Sequence, residues 1–225
     1  MVPALVILTI VAFLVVDLVV RRVRARQKQT QLHAIPARSS ADALEWDVRI
    51  PEGIFVSPGH TWVALETSGK VRMGMDDFAW QMLGAPESLD LPKLGTVVRA
   101  GEPIVTLYRG KNLARLAAPV DGIVQDVNTY LSTKPQTGSQ SPYERGWMVA
   151  LKPKDLAGNL PALAIAESAK VFLEREVSRF RGFLSDYHPI LAMAADGGKP
   201  VEGIVVHLEE DAWDRFRRDF LRESI

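Results

Sequence analysis

The sequence predicts a mainly-β domain with flanking helices, preceded by one N-terminal transmembrane helix and followed by a small α+β C-terminal extension. Three patterns point there. An apolar run opens the chain and a basic cluster closes that run. Short β-branched runs punctuated by glycine and proline fill residues 46–151. Apolar residues at three- and four-residue steps return after residue 160.

The bulk numbers narrow the function classes. With 225 residues, there is enough chain for one core plus appendages, and a hydrophobic share of 47% excludes a disordered chain. The 27 basic residues are balanced by 27 acidic ones, so the basic excess of a phosphate-neutralising nucleic-acid binder is missing. With no cysteine, disulfides, thiolate catalysis and Cys-ligated zinc or iron–sulfur clusters drop out.

Residues 1–21 read as a membrane anchor. Val2 to Val20 is apolar apart from Pro3, Thr9 and Asp17. As a helix this run spans about 28 Å at ~1.5 Å per residue, close to the ~30 Å hydrocarbon core of a bilayer. Arg21, Arg22, Arg24, Arg26 and Lys28 follow, which by the positive-inside rule places the rest of the chain in the cytoplasm. A cleaved signal peptide carries its basic residues before the apolar run and a small-residue cleavage pattern after it, and neither is present. Asp17 sits near the cytoplasmic end, as an interfacial residue or a contact to a partner helix. Residues 22–45 are polar, contain Pro36, Ser39 and Ser40, and read as a tether.

The central region carries strand candidates at Ile54–Val56, Trp62–Leu65, Val71–Met73, Pro103–Leu107, Ile123–Val127 and Trp147–Ala150. Thr67–Lys70 is a hairpin turn between two of them. Asp76–Leu83 places Phe78, Met82 and Leu83 on helical spacing and ends at Gly84, a C-cap residue, so it reads as a short helix with acids at its start.

Lys111 stands at the centre of a near-symmetric pattern. Pro103 precedes it by eight residues and Pro119 follows it by eight, with Gly101 and Gly122 beyond them. Two similar β segments joined at Arg109-Gly110-Lys111-Asn112 place the lysine at an exposed hairpin tip. A swinging carrier arm needs that geometry: an amine open to an acylating enzyme and free to visit several active sites. Lysine in a surface turn is otherwise common.

The surrounding motifs resemble the H protein of the glycine cleavage system. His60-Thr61-Trp62-Val63 is similar to that family's His-x-Trp-Val, and Gly74 to Ala79 to its Gly-Ile-Thr-Asp-Tyr-Ala. Leu83-Gly84, Leu89-Asp90-Leu91-Pro92 and Gly95 to Pro103 follow in family order. Ala118 to Gly122, Val127-Asn128, Pro135 and Ser141 to Trp147 complete the series. The resemblance implies a lipoyl/biotinyl-type hybrid-motif β barrel, a flattened sandwich, over residues 46–184 including a C-terminal helix. It puts Lys111 at the lipoyl-attachment position and implies covalent lipoate as cofactor. The implied partners are glycine cleavage-type enzymes: glycine decarboxylase, the aminomethyltransferase and dihydrolipoyl dehydrogenase.

The sequence departs from the family around the lysine. The usual Glu-Ser-Val-Lys-Ala is Tyr108-Arg109-Gly110-Lys111-Asn112, and Ser141 and Glu144 replace an aspartate and a glycine. Two readings follow. One is a membrane-anchored carrier whose lipoylated Lys111 shuttles aminomethyl groups or reducing equivalents, with a membrane-bound redox or assembly complex as a further partner. The other is an unlipoylated H-like structural subunit of a membrane complex. Efflux adaptors also pair a membrane segment with lipoyl-like halves, but a long helical hairpin separates their halves, whereas a four-residue turn joins these.

No nucleophile elbow, phosphate loop or dinucleotide fingerprint appears, so no catalytic site is expected. His33, His60, His188 and His207 have no metal-site spacing and read as structural or surface residues. Beyond the domain, Leu160–Leu184 reads as an amphipathic helix with Ile165, Ala169, Phe172, Leu173, Val177, Phe180 and Leu184 on one stripe. Residues 185–225 read as the α+β extension. It has strands at Ile190–Ala194 and Val201–Val206 around Asp196-Gly197-Gly198, then a helix at Glu209–Leu221 carrying Trp213, Phe216 and Phe220. That extension is either a packed appendage or a docking surface.

Overall fold

The computed structural model describes residues 50–187 and 202–223. The expected anchor at 1–21, the tether at 22–45, and the strand at Ile190–Ala194 with its turn lie outside the described residues, as do His33 and His188. Among the described residues no helix is long and apolar enough to cross a membrane.

Two antiparallel sheets make the β domain. Along the chain the strands are β1 (Ile54–Val56), β2 (Thr61–Leu65), β3 (Val71–Met75), β4 (Ser88–Asp90), β5 (Val97–Val98), β6 (Pro103–Arg109), β7 (Asn112–Ala117), β8 (Gly122–Val127), β9 (Trp147–Pro153) and β10 (Ala164–Ile165). The larger sheet runs β10-β1-β2-β3-β9-β8-β5 and the smaller β4-β6-β7. Period-2 alternation marks β7 and β8, whereas β2 and β9 are buried along most of their length. Val71 and Met73 are buried while Arg72 faces out, and on β7 Asn112, Ala114 and Leu116 point inward. The Thr67–Lys70 turn closes as expected, with Glu66 N–H donating to Lys70 O at 2.8 Å and Gly69 at φ +79°.

Helix α1 (Asp77–Leu83) follows the sequence expectation. Asp76 caps its start by accepting from Ala79 N–H at 2.8 Å, and Gly84, at φ +67°, ends it. Three short helices were not expected: α2 (Thr129–Thr133), α3 (Gln136–Gln140) and α4 (Leu156–Asn159). With four or five residues each, they are too short to show a helical period.

The long helix α5 spans Glu167–Tyr187, so the expected start at Leu160 is corrected. Leu160–Ala162 forms a 3-10 turn around Pro161, Ala164 and Ile165 pair with Val56 and Phe55, and Ala166 at φ +51° breaks the path. Its buried stripe contains Ala169, Leu173, Val177, Phe180, Phe183 and Leu184, while Ile165 lies outside it at 38% exposed.

The strand expected at Val201–Val206 is also corrected. Gly203 takes a left-handed conformation at φ +77°, and Ile204–His207 is a 3-10 turn. The run is apolar because Ile204 and Val205 are buried, and apolarity alone does not separate strand from buried turn. Helix α6 (Glu210–Asp219) follows, slightly shorter than the expected Glu209–Leu221. Its Phe216 and the following Phe220 enter the same core as the β domain. Phe220 lies 6.0 Å from Phe78 and 5.6 Å from Phe180 by ring centroids, and 5.3 Å from Phe216. Burying such rings contributes about 2–3 kcal/mol each.

Candidate carrier hairpin

Strands β6 and β7 pair from Pro103–Ala117 to Arg109–Asn112, leaving Gly110 and Lys111 as a two-residue loop. Gly110 has φ +57° and Lys111 is not in the left-handed region, the pattern of a II′ hairpin turn with glycine first. A Cβ on Gly110 would meet no atom within 4 Å, so backbone conformation and not crowding selects glycine there. Lys111 is exposed at the tip and makes no ion pair among the described residues. The symmetric base is closed by Gly101 N–H donating to Ala118 O and Ala118 N–H to Glu102 O, both at 2.8 Å.

Three of the residues that depart from the family pattern, Tyr108, Arg109 and Asn112, tie this hairpin down, together with the backbone amide of Arg115. Tyr108 O–H donates to Asp90 Oδ2 at 2.7 Å, and that bond to the neutral phenol raises its pKa. Arg109 Nη1 donates to Leu83 O at 2.6 Å, at the C-terminal end of α1 where a cation is favoured. Its guanidinium occupies the space that side chains on Gly84 or Gly203 would need. Asn112 Nδ2 donates to Val206 O at 3.2 Å. The backbone N–H of Arg115 donates to the Glu223 carboxylate, which also pairs with Arg217 Nη1 at 2.9 Å. Burial raises the Glu223 pKa, and the Arg115 N–H and the Arg217 and Arg115 cations oppose that shift.

Beside the tip lies a groove of about 320 Å³. Lys111, Asn112 and Leu113 form one wall; Glu210, Trp213, Asp214 and Arg217 of α6 form the other. Arg217 Nη2 holds Asp214 Oδ1 at 2.6 Å. Sequence reasoning did not bring α6 to Lys111, because about a hundred residues separate them and no local pattern reports such a contact.

A second polar cluster is internal. His60 is fully buried, its Nδ1 2.9 Å from Asp76 Oδ2 and its Nε2 3.5 Å from Glu176 Oε2 on α5. Arg179 holds the other Glu176 oxygen at 2.6 Å. Burial alone would lower the imidazole pKa, but Asp76 first and then Glu176 push it up to about 9. His60 also stacks on Phe78 at 4.4 Å, so it joins α1, β2 and α5 as an internal ion-pair centre. Asp76 thus serves as both helix cap and imidazole partner. His207 is exposed, and among the described residues no group of three or more His, Asp or Glu is placed to hold a metal.

A two-sheet β domain whose β6–β7 hairpin carries a lysine at its two-residue tip has the architecture of the lipoyl-domain class. The sequence profile described as "Glycine cleavage H-protein" matches residues 55–176, more than half of the chain. A glycine cleavage system H protein from Geobacillus thermodenitrificans is 38% identical over 107 residues, covering 48% of this chain and 84% of the relative. One from Anaeromyxobacter sp. is 36% identical over 129 residues, covering 57% of this chain and 99% of the relative. A crystal structure of a glycine cleavage system H protein from Mycobacterium marinum is 27% identical, with a TM-score of 0.47 over 56% of this chain and 98% of that one. The chain belongs to the glycine cleavage H-protein family.

Proposed function

We propose that this chain is a membrane-anchored lipoyl carrier whose arm is an amide on Nζ of Lys111. The reading rests above all on one observation: within an H-family domain, Lys111 stands exposed at the tip of the β6–β7 hairpin, without an ion pair among the described residues. The cofactor fits the residues present, because the amine is open to solvent and Gly110 leaves free space beside it. When attached, lipoate supplies a dithiolane that accepts an aminomethyl group or reducing equivalents. The protein's own part is to hold the tip still and present it, and it needs no catalytic site of its own.

In this reading the anchor is residues 1–21, with the domain on the cytoplasmic face of the membrane. The apolar run and the basic cluster after it support that orientation. The partners are glycine cleavage-type enzymes or a membrane-bound redox complex. Intact mass of the protein from its native host tests the carrier reading. A lipoyl increment mapped to Lys111 is expected; an unmodified mass under lipoate-replete growth rejects it.

The tethers on Tyr108, Arg109, Asn112 and Arg115 favour a second reading, an unlipoylated structural subunit. Purification of one stable membrane complex containing unmodified Lys111, with Lys111→Ala still functional, supports that alternative.

A further inference from the structure

Helix α6 lies beyond the residues matched by the family profile, yet it forms part of the surroundings of Lys111. The hairpin is fastened to this later segment on both strands. Arg109 lies against Gly203, Asn112 reaches Val206 and the Arg115 amide reaches Glu223. Because Phe216 and Phe220 are buried in the common core, α6 is a built-in wall and not a loose flap.

That arrangement constrains whatever modifies the lysine. For an amide to form, the Nζ lone pair attacks the carbonyl of an acyl adenylate. The C–N bond forms, the C–O bond to AMP breaks, AMP leaves with the electron pair, and the Nζ proton passes to a base of the enzyme or to solvent. The donor carbonyl must come within bonding distance of Nζ of a residue that lines the shared groove, which brings the enzyme delivering it beside α6. The groove-facing part of α6 includes exposed Glu210 in its first turn, next to exposed Asp211. Arg217 in the groove is paired with Asp214, which leaves Glu210 as the groove carboxylate without an ion pair among the described residues, and a partner that brings a cationic side chain opposite it fits that charge.

We propose that α6 is part of the acceptor surface read by the enzyme that acylates Lys111, with Glu210 as a contact residue. This rests on the carrier reading above. The full chain, produced without lipoate, is incubated with lipoate, ATP and the native host's lipoate–protein ligase, and acylation is followed by intact mass. Glu210→Arg is expected to lower the acceptor kcat/KM about tenfold, with Glu210→Gln between it and the parent. Lys152→Glu, an exposed charge on β9 outside the groove, leaves the rate unchanged. Acetylation of Lys111 by a small water-soluble ester is expected to be equal in all four proteins, with melting temperatures within a few degrees of one another, since Glu210→Arg loses a favourable charge at the first turn of α6.

If the parent is acylated and Glu210→Arg matches it, the α6 surface is rejected while the carrier reading stands. Equal slowing of the small ester by Glu210→Arg also rejects it, because the effect then lies in the amine. If the parent itself is not acylated, the carrier reading fails and this inference falls with it.

Discussion

Asn112, the residue after the tip lysine, donates its side-chain amide to the carbonyl of Val206, ninety-four positions later in the chain. Through this bond a residue of the carrier hairpin satisfies backbone in the C-terminal segment. Replacing Asn112, which is 7% exposed, by Ala removes the bond and leaves the Val206 carbonyl without that donor. A loss of about 1–2 kcal/mol is expected in urea unfolding, together with faster amide exchange in Ile204–His207.

Gly203 and Gly110 both have positive φ, but they differ in surroundings. At Gly110 a Cβ meets open space, so Gly110→Ala is expected to cost about 1–3 kcal/mol, from backbone conformation alone. At Gly203, which is in the αL region, the Arg109 guanidinium fills the space, so Gly203→Ala adds displacement of that guanidinium from Leu83 O to an αL backbone term of about 1–2 kcal/mol. A loss of about 2–4 kcal/mol is expected there, and comparing the two variants by chemical denaturation checks the difference. The double variant Gly203→Ala/Arg109→Ala should recover part of the Gly203→Ala loss.

The His60 cluster predicts a pH dependence. The folded-state pKa, about 9, lies above the ordinary 6.5, so folding favours the protonated imidazole. Its contribution is complete below about pH 6.5 and is lost as pH rises through about 9. Stability should fall across that window by an amount on the order of 2–3 kcal/mol. His60→Asn should be less stable than the parent at pH 6.5 and show a flatter profile, with the gap narrowing by pH 9.5. Parallel slopes for the two proteins in urea titrations would reject the ion-pair account.

Phe216→Ala is expected to cost about 3–5 kcal/mol, because the ring is fully buried between Phe180, Phe183, Trp213 and Phe220. Since these rings share a core with Phe78 of the β domain, unfolding should remain one transition. Tryptophan fluorescence and far-UV circular dichroism should give coincident curves. A separate early transition for the C-terminal segment would contradict the shared core.

Much of the β domain was legible because its strands are short apolar runs punctuated by glycine and proline. β2, β3 and β8 follow that rule, and α1 announces itself with Asp76 and Gly84. β5 and β10 have two residues each, and no pattern that short is readable. The start of α5 was misplaced because Ala164 and Ile165 continue a helical stripe while pairing with β1. Val201–Val206 looked like a strand because burial makes any element apolar. At the candidate site, the symmetry about Lys111 located the tip, and Tyr108 and Arg109 stood out as departures. Their partners Asp90, Leu83 and Gly203 could not be read, because those contacts depend on the tertiary fold.

The tethers along β6 and β7 give Lys111 a stationary pivot. Anything bonded to its Nζ sweeps a cap whose centre is set by the domain and whose radius is set by its own rotatable bonds. In the carrier reading proposed above, target sites beyond that radius come into range when the whole domain turns, so orientation of the domain sets the local concentration that each target experiences.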